Sequence, residues 1–447
     1  MRINSQSVQQ YSFKGNKNDP AITYINKDRM VDTFIRLVKV DTMSHPGATD
    51  FPSSEGQKVL AKMLADELRT IGLEDVHIDR HHVVTATLPD NLGNIPDKPI
   101  IGLSAHLDTS KDSPSDNVNP VIHKNYQGGD IKLKDGIFIP ASDLIDHIGE
   151  DIITSDGTTL LGADDKAGIA EILEVLRVYK EQPHIKHPKL RIAFTPDEET
   201  GEYIKNFNIK AFGADAAYTL DGKDGNCLDT ATFNAYNVTL KVKGRNVHTG
   251  EAKDKLVNAN KIILDIMNGL PESESPEKTS GEQGFYHIEE MSGSPSEGKL
   301  KILIRDFDFD RAKERVAYLE QLARDAISKY PAGRAGVEIE PVLLYRNQKD
   351  FLTGLPEVVN NALEGIQRTF NSLGYNKNPK ESSIRGGTDG STMSEKGLPV
   401  ANLEAGWHNA HARNEFVTVE KMVECAANII NTLSVWAEKA INKNQKE

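Results

Sequence analysis

The chain has 447 residues, enough for two domains, and carries 66 acidic against 53 basic side chains for a formal charge of −13. That balance, with no basic tract, argues against a nucleic-acid-binding surface. The two cysteines, Cys227 and Cys425, stand far apart and in no CxxC spacing, which excludes a disulfide framework or a thiolate zinc site. No run of 18 apolar residues suggests a membrane span. The start, MRINSQSVQQYSFKGNKNDP, has no apolar h-region, so a cytoplasmic protein without signal peptide is expected, with residues 1–28 as a polar N-terminal arm.

After the arm, EGQKVLAKMLADELRTIGL places Leu60, Met63, Leu64, Leu68 and Ile71 at helical spacing and stops at Gly72. Four apolar runs then read as buried strands: PIIGLSAHLD, LRIAFTPDEE, DAAYTLDG and, much later, LPVANLEAGWHNAH. Each ends in residues able to bind a metal. In an open parallel α/β sheet, sites form at the carboxyl ends of strands, so these four ends can meet in one crevice. Between the third and fourth runs the pattern changes to strand, helix, strand, strand, helix, strand. Leu300, Ile302 and Ile304 alternate as in a strand, whereas Val316, Leu319, Leu322, Ala323 and Ile327 keep a helical period. The order βαββαβ is that of a ferredoxin-like unit. The expected division is a discontinuous catalytic domain at 29–231 and 347–447 with an α+β insert at 232–346. PESESPEKTSGEQG, inside the insert, reads as a solvated loop.

His106 and Asp108, at i and i+2, leave the same face if the strand continues, so Asp108 can hold one imidazole nitrogen while the other binds a metal. In LLGADDKAGIAEILEVL, Asp164 and Asp165 stand where a helix begins. One can cap it and the other face the crevice. A phosphate loop is disfavoured, because the order GxxxxGK[ST] is absent. In TPDEETG, Asp197, Glu198 and Glu199 are adjacent, and a divalent cation would relieve their repulsion. Hydrolysis at a metal also needs a carboxylate off the metal to accept the proton of water. Asp221, His408 and His411 complete the inventory. Imidazoles and carboxylates without thiolates suit zinc, manganese or cobalt in an open site, and two ions sharing one carboxylate use this set more economically than one.

The segments AHLDTS, TTLLGADDKAGIAEI, FTPDEETG, AYTLDG, NVHTGEAKDKLVNA, IRDFD, IRGGTDGS and NLEAGWHNAHARNEFVTVE, in this order, resemble the peptidase T family of tripeptide aminopeptidases, within the di-zinc aminopeptidase and carboxypeptidase superfamily. The resemblance implies a mixed central sheet sandwiched by helices, with the insert as a lid or dimerisation domain. It implies two Zn2+ per subunit, replaceable by Co2+ or Mn2+: Asp164 bridges them, His106 and Asp221 complete one site, Glu199 and His411 the other. It further implies Glu198 as general base, Asp108 orienting His106, a cis peptide after Asp164, and His248 on the substrate carbonyl. Arg305, Arg385 and Asn258 are implied to bind substrate, a short peptide with a free N-terminus, and a homodimer through the insert is allowed. His408 matches no family ligand and is not assigned to metal. Thr249, Arg413 and Asn414 depart from the family pattern and bear on substrate preference. The alternative activities are a deacylase, a carboxypeptidase or dipeptidase on the same scaffold, or a non-catalytic peptide-binding homologue.

Overall fold

Each of the four apolar runs becomes a strand, and the four lie side by side and parallel in the order Lys189–Thr195, Ile100–His106, Ala216–Lys223, Val400–His408. Ile101 to His106 are all buried, the mark of a strand covered on both faces, which explains why these runs are almost continuously apolar. The strands Glu74–Ile78 and Val84–Leu88 extend one edge with antiparallel pairing, and Phe416–Thr418, Ile152–Thr154 and Val121–His123 extend the other. The sheet is therefore mixed, with a parallel centre. This computed structural model describes residues 19–201 and 203–445.

The chain forms two compact units, the first made of residues up to Thr230 with Leu352–Ser382 and Lys396–Glu447. Its core joins the central strands to the helices Lys27–Val38, Glu55–Ile71, Ala163–Glu181, Glu357–Leu373 and Val419–Asn444. Glu55–Ile71 is the helix read from the sequence: Leu60, Leu64 and Leu68 are buried, and it ends at Gly72. Ala163–Glu181 is buried along almost its whole length, so its acidic start sits inside the protein.

The expected arm needs correction. Residues 1–18 lie outside the described residues, but 19–28 are not a free arm. Asp19 caps the short helix Pro20–Thr23, Asn26 caps Lys27–Val38, and Ile22, Tyr24 and Ile25 pack on the main core. Two capping side chains and three apolar contacts order a segment whose composition reads as polar.

The second unit comprises Ala231–Phe351 and Ser383–Glu395. Its element order is strand Asn234–Lys243, helix Ala259–Asn268, strands Phe285–Gly293 and Glu297–Asp306, helix Phe309–Ser328 and strand Gly336–Tyr345. The sheet runs Phe285–Gly293, Glu297–Asp306, Asn234–Lys243, Gly336–Tyr345, every neighbour antiparallel, which is ferredoxin-like. Leu300, Ile302 and Ile304 meet Leu319 and Ala323 in its core.

Two readings change here. The boundary at 347 leaves out Ser383–Glu395, which belongs to this unit: the Arg385 guanidinium donates to the carbonyls of Gly281 and Gln283, and Ser391 Oγ donates to Thr232 Oγ1 at 3.0 Å. The stretch PESESPEKTSGEQG is likewise more than a solvated loop. It forms 3-10 turns at Glu272–Glu274 and Pro276–Lys278 and supplies Thr279, Gly281 and Gln283 as acceptors for Arg385.

Candidate metal centre

His106 is the last residue of its strand, paired across to Thr195, and its ring is buried. Nε2 meets Asp164 Oδ1 at 2.9 Å and lies 3.8 Å from Asp221 Oδ1. Nδ1 lies 3.0 Å from the backbone carbonyl of Asp108 and 3.4 Å from its carboxylate Oδ1. Asp108 thus holds the ring chiefly through its main chain. Its carboxylate accepts the amides of Glu198 (2.9 Å) and Glu199 (3.1 Å) instead, tying the TPDEETG turn to the His106 strand end.

Asp164 presents its other oxygen, Oδ2, to His411 Nε2 at 3.3 Å, and the same nitrogen is 3.0 Å from Glu199 Oε1. One carboxylate therefore stands between two imidazoles, with Asp221 beside the first and Glu199 beside the second. Two groups of three fall within metal-ligand reach on this footprint, His106–Asp164–Glu199 and His106–Asp165–Asp221.

Local geometry explains why Asp164 points inward. The helix Ala163–Glu181 is capped by Gly162 at φ +80°, with no side-chain cap, and Asp164 and Asp165 have non-helical dihedrals within its first turn. Neither aspartate caps the helix. The Asp164–Asp165 peptide bond is cis, as the resemblance implies. The amides of Leu161, Gly162 and Asp164 are satisfied from far away, by the buried carboxylate of Glu415 at 2.7, 2.7 and 3.0 Å. Sequence reasoning misses Glu415, and it reads Asp165 only as a helix cap or a crevice-facing acid. Glu415 stands four after His411, a spacing legible only as a landmark, and Asp165 Oδ2 accepts the His106 amide at 3.1 Å.

The electrostatics follow from packing acids together out of water. Burial pushes Glu199 and Asp221 up to about 7, with Asp164 adding repulsion at both. His411 is pushed up to about 11 by hydrogen bonding to Asp164 and Glu199. Burial opposes the charging of His106 but is outweighed by Asp108, Asp164 and Asp221, which raise it well above the ordinary range. Asp197 is fully buried and accepts from the Ser53 amide (2.8 Å), the Ser53 hydroxyl and Gln57 Nε2 (2.8 Å).

His248, Asn258, Arg305 and Arg385 belong to the second unit. His248 is exposed, and its Nδ1 accepts from the Gly250 amide at 3.2 Å. Asn258 caps the helix Ala259–Asn268, its Oδ1 accepting from the Asn260 amide at 3.0 Å. Arg305 Nη1 donates to the Arg385 carbonyl at 3.0 Å while its Nε is buried without a hydrogen bond. Arg385 donates to Gly281, Gln283 and Thr279 and lies over the rings of Phe233 and Phe285. Among the described residues neither arginine has a carboxylate partner.

The sequence model of peptidase family M20/M25/M40 matches residues 157–434. Peptidase T of Bacillus pumilus is 41% identical over 419 residues, covering 93% of this chain and 100% of that protein. Peptidase T of Geobacillus kaustophilus is 42% identical with the same coverage. The chain belongs to the peptidase T family, within M20/M25/M40.

Solved structures agree on the fold. An aminopeptidase PepT from Bacillus cereus superposes with a TM-score of 0.71 at 24% identity, covering 93% of this chain and 100% of that one. A Bacillus subtilis protein described as a dinuclear metal binding peptidase from the M20 family gives 0.63 at 12% identity, covering 92% and 98%. For a peptidase T chain, the donor set fits metal. Asp164, Glu199 and Asp221 are mutually repelling carboxylates around two imidazoles, and the buried oxygen Asp165 Oδ1 has no hydrogen bond among the described residues. All donors are nitrogen or oxygen.

Proposed function

We propose that this peptidase is a zinc-dependent aminopeptidase that releases the N-terminal residue of short peptides, preferentially tripeptides. The observation that carries the reading is the near-full-length identity of 41% to a curated peptidase T, on a chain whose His106, Asp164, Glu199, Asp221 and His411 converge. Two ions would be held with Asp164 between them, His106 and Asp221 on one side and Glu199 and His411 on the other. Bound there, divalent ions polarise a carbonyl and lower the pKa of water.

The chain's own groups supply the remaining chemistry. Glu198 follows the left-handed Asp197 at the start of the turn Glu198–Thr200, its amide fixed by Asp108. It is the proton acceptor for water and then the proton donor to the leaving amine. His248 accepts at Nδ1, so its neutral ring carries the proton on Nε2, the form suited to donate to a developing oxyanion. Of the two arginines, Arg305 has fewer donors committed, one nitrogen to a carbonyl and another orphaned, and is the better candidate for the peptide carboxylate. Asn258 keeps its amide nitrogen for substrate while its oxygen caps a helix. Exposed Ile288, Met291 and Val342 on the small unit's sheet support a homodimer formed through that unit. No helix among the described residues is long and apolar enough to cross a membrane, which accords with a cytoplasmic location.

The test is product analysis on a tripeptide beside its dipeptide, tetrapeptide and N-acetylated analogues, with and without a chelator. Release of the first residue from the free tripeptide, lost on chelation and restored by zinc, is expected. Equal cleavage of the N-acetylated peptide would move the activity to a deacylase or carboxypeptidase, and no Glu198-dependent hydrolysis would leave a binding protein.

A further inference from the structure

His408, which matches no family ligand, does not join the centre described above. It lies instead with His147 and Asp224, one ligand atom of each within 4.8 Å of the others. His408 Nε2 is 3.3 Å from Asp224 Oδ2 yet makes no hydrogen bond, although the atom is buried. The His147 ring stands edge-on to that of His408, with centroids 5.0 Å apart, and is itself buried. Its Nδ1 is engaged by Glu150 Oε2 at 2.9 Å, leaving Nε2 with no partner among the described residues. Stacking on Phe416, at 4.3 Å and 2°, fixes the His408 plane. Asp224 gives its other oxygen, Oδ1, to Lys421 at 3.0 Å, which holds the carboxylate ionised against the cost of burial.

We propose that His147, Asp224 and His408 form a further site for a divalent transition cation, separate from the His106–His411 centre. Two imidazoles and one carboxylate are the ligand chemistry of zinc, cobalt, nickel or copper rather than of magnesium or calcium. Glu150 has the place of the carboxylate that fixes a ligating histidine's tautomer and orientation. The three side chains line a cavity of about 660 Å³ whose other acids include Asp143, Asp146, Glu150 and Glu424. That cavity favours a cation and leaves room for a water or a second ligand to complete the coordination. Plain packing of the histidines against Asp224 leaves the buried His408 Nε2 unsatisfied, which a metal removes.

The test is metal counting on the full chain. Chelator-stripped protein is equilibrated with Co2+, desalted and counted by mass spectrometry of the metal, beside the H147Q/H408Q variant. The variant is expected to retain one ion fewer per chain than wild type, while Asp164→Asn, altered only at the other centre, keeps the ion that H147Q/H408Q loses. The two losses are also separable in the Co2+ visible spectrum, where bands missing from one variant persist in the other. Should the double variant fail to fold by circular dichroism, His408→Gln alone, changing the most exposed of the three, is expected to lose the same ion. Equal metal counts and identical spectra in wild type and a folded variant overturn the proposal.

Discussion

Asp197, Glu198 and Glu199 are consecutive carboxylates with three different surroundings. Asp197 is buried among Ser53 and Gln57, Glu198 has its amide on Asp108, and Glu199 lies against His411. The hydrogen bonds of Asp197 give it a structural role. Asp197→Ala removes the shared acceptor of the Ser53 amide, the Ser53 hydroxyl and Gln57 Nε2 and is expected to cost on the order of 2–3 kcal/mol in urea unfolding. Glu198→Gln is expected to lower kcat by about 10²–10⁴-fold with metal content unchanged, since it removes the proposed proton acceptor and no proposed ligand. Glu199 and Asp221, raised to about 7, hold protons below that pH in the metal-free chain, and a cation takes only their ionised form. Metal affinity should therefore fall as the pH drops below about 7, with protons released on binding, as calorimetry in buffers of differing protonation enthalpy can read out. The metal-free fold has the opposite dependence. Carboxyls whose folded pKa is raised favour the folded state while protonated, so its stability declines as pH rises from about 4 to about 7.

The helix Ala163–Glu181 and the strand Ala216–Lys223 meet at Gly168. A Cβ there would stand 2.1 Å from the Leu220 carbonyl and 2.5 Å from Asp165 Oδ1. Gly168→Ala must push the helix bearing Asp164 away from the strand bearing Asp221. Metal affinity is expected to drop at least tenfold, with a lowered melting temperature, although no ligand changes; a variant with native affinity would show that the two elements can separate without moving the centre. This scale also marks where sequence reading succeeds and stops. Strand ends are legible because apolar runs stop abruptly at charged residues. What caps the helix is not, because the amides at its start are served by Glu415, 254 residues from Leu161, and a cap supplied at that distance leaves no local pattern. The same holds for Asp108, whose i, i+2 spacing suggests a carboxylate on His106, while the carboxylate itself serves two amides of another strand end.

Across the whole molecule, the βαββαβ unit is legible because its periods switch cleanly between two and about 3.6 residues. Its outlying piece, Ser383–Glu395, is not, since what assigns it there is the hydrogen bonding of Arg385 and Ser391 to residues more than a hundred positions earlier. The candidate metal centre is assembled on the same long-range plan, from His106, Asp164, Glu199, Asp221 and His411. A chain ended before Val400 lacks the Val400–His408 strand, His411 and the Glu415 carboxylate together. It is expected to retain no tightly bound ion after desalting. During synthesis, four of the five proposed ligands are made long before the last. With about 190 residues still to add after Asp221, the ribosome needs roughly 10–40 s before His411 exists. On the proposed ligand set, the nascent protein holds for that interval three acids and one histidine without the residue that closes the group. On that ligand set, a complete binding group exists only once the chain is nearly finished.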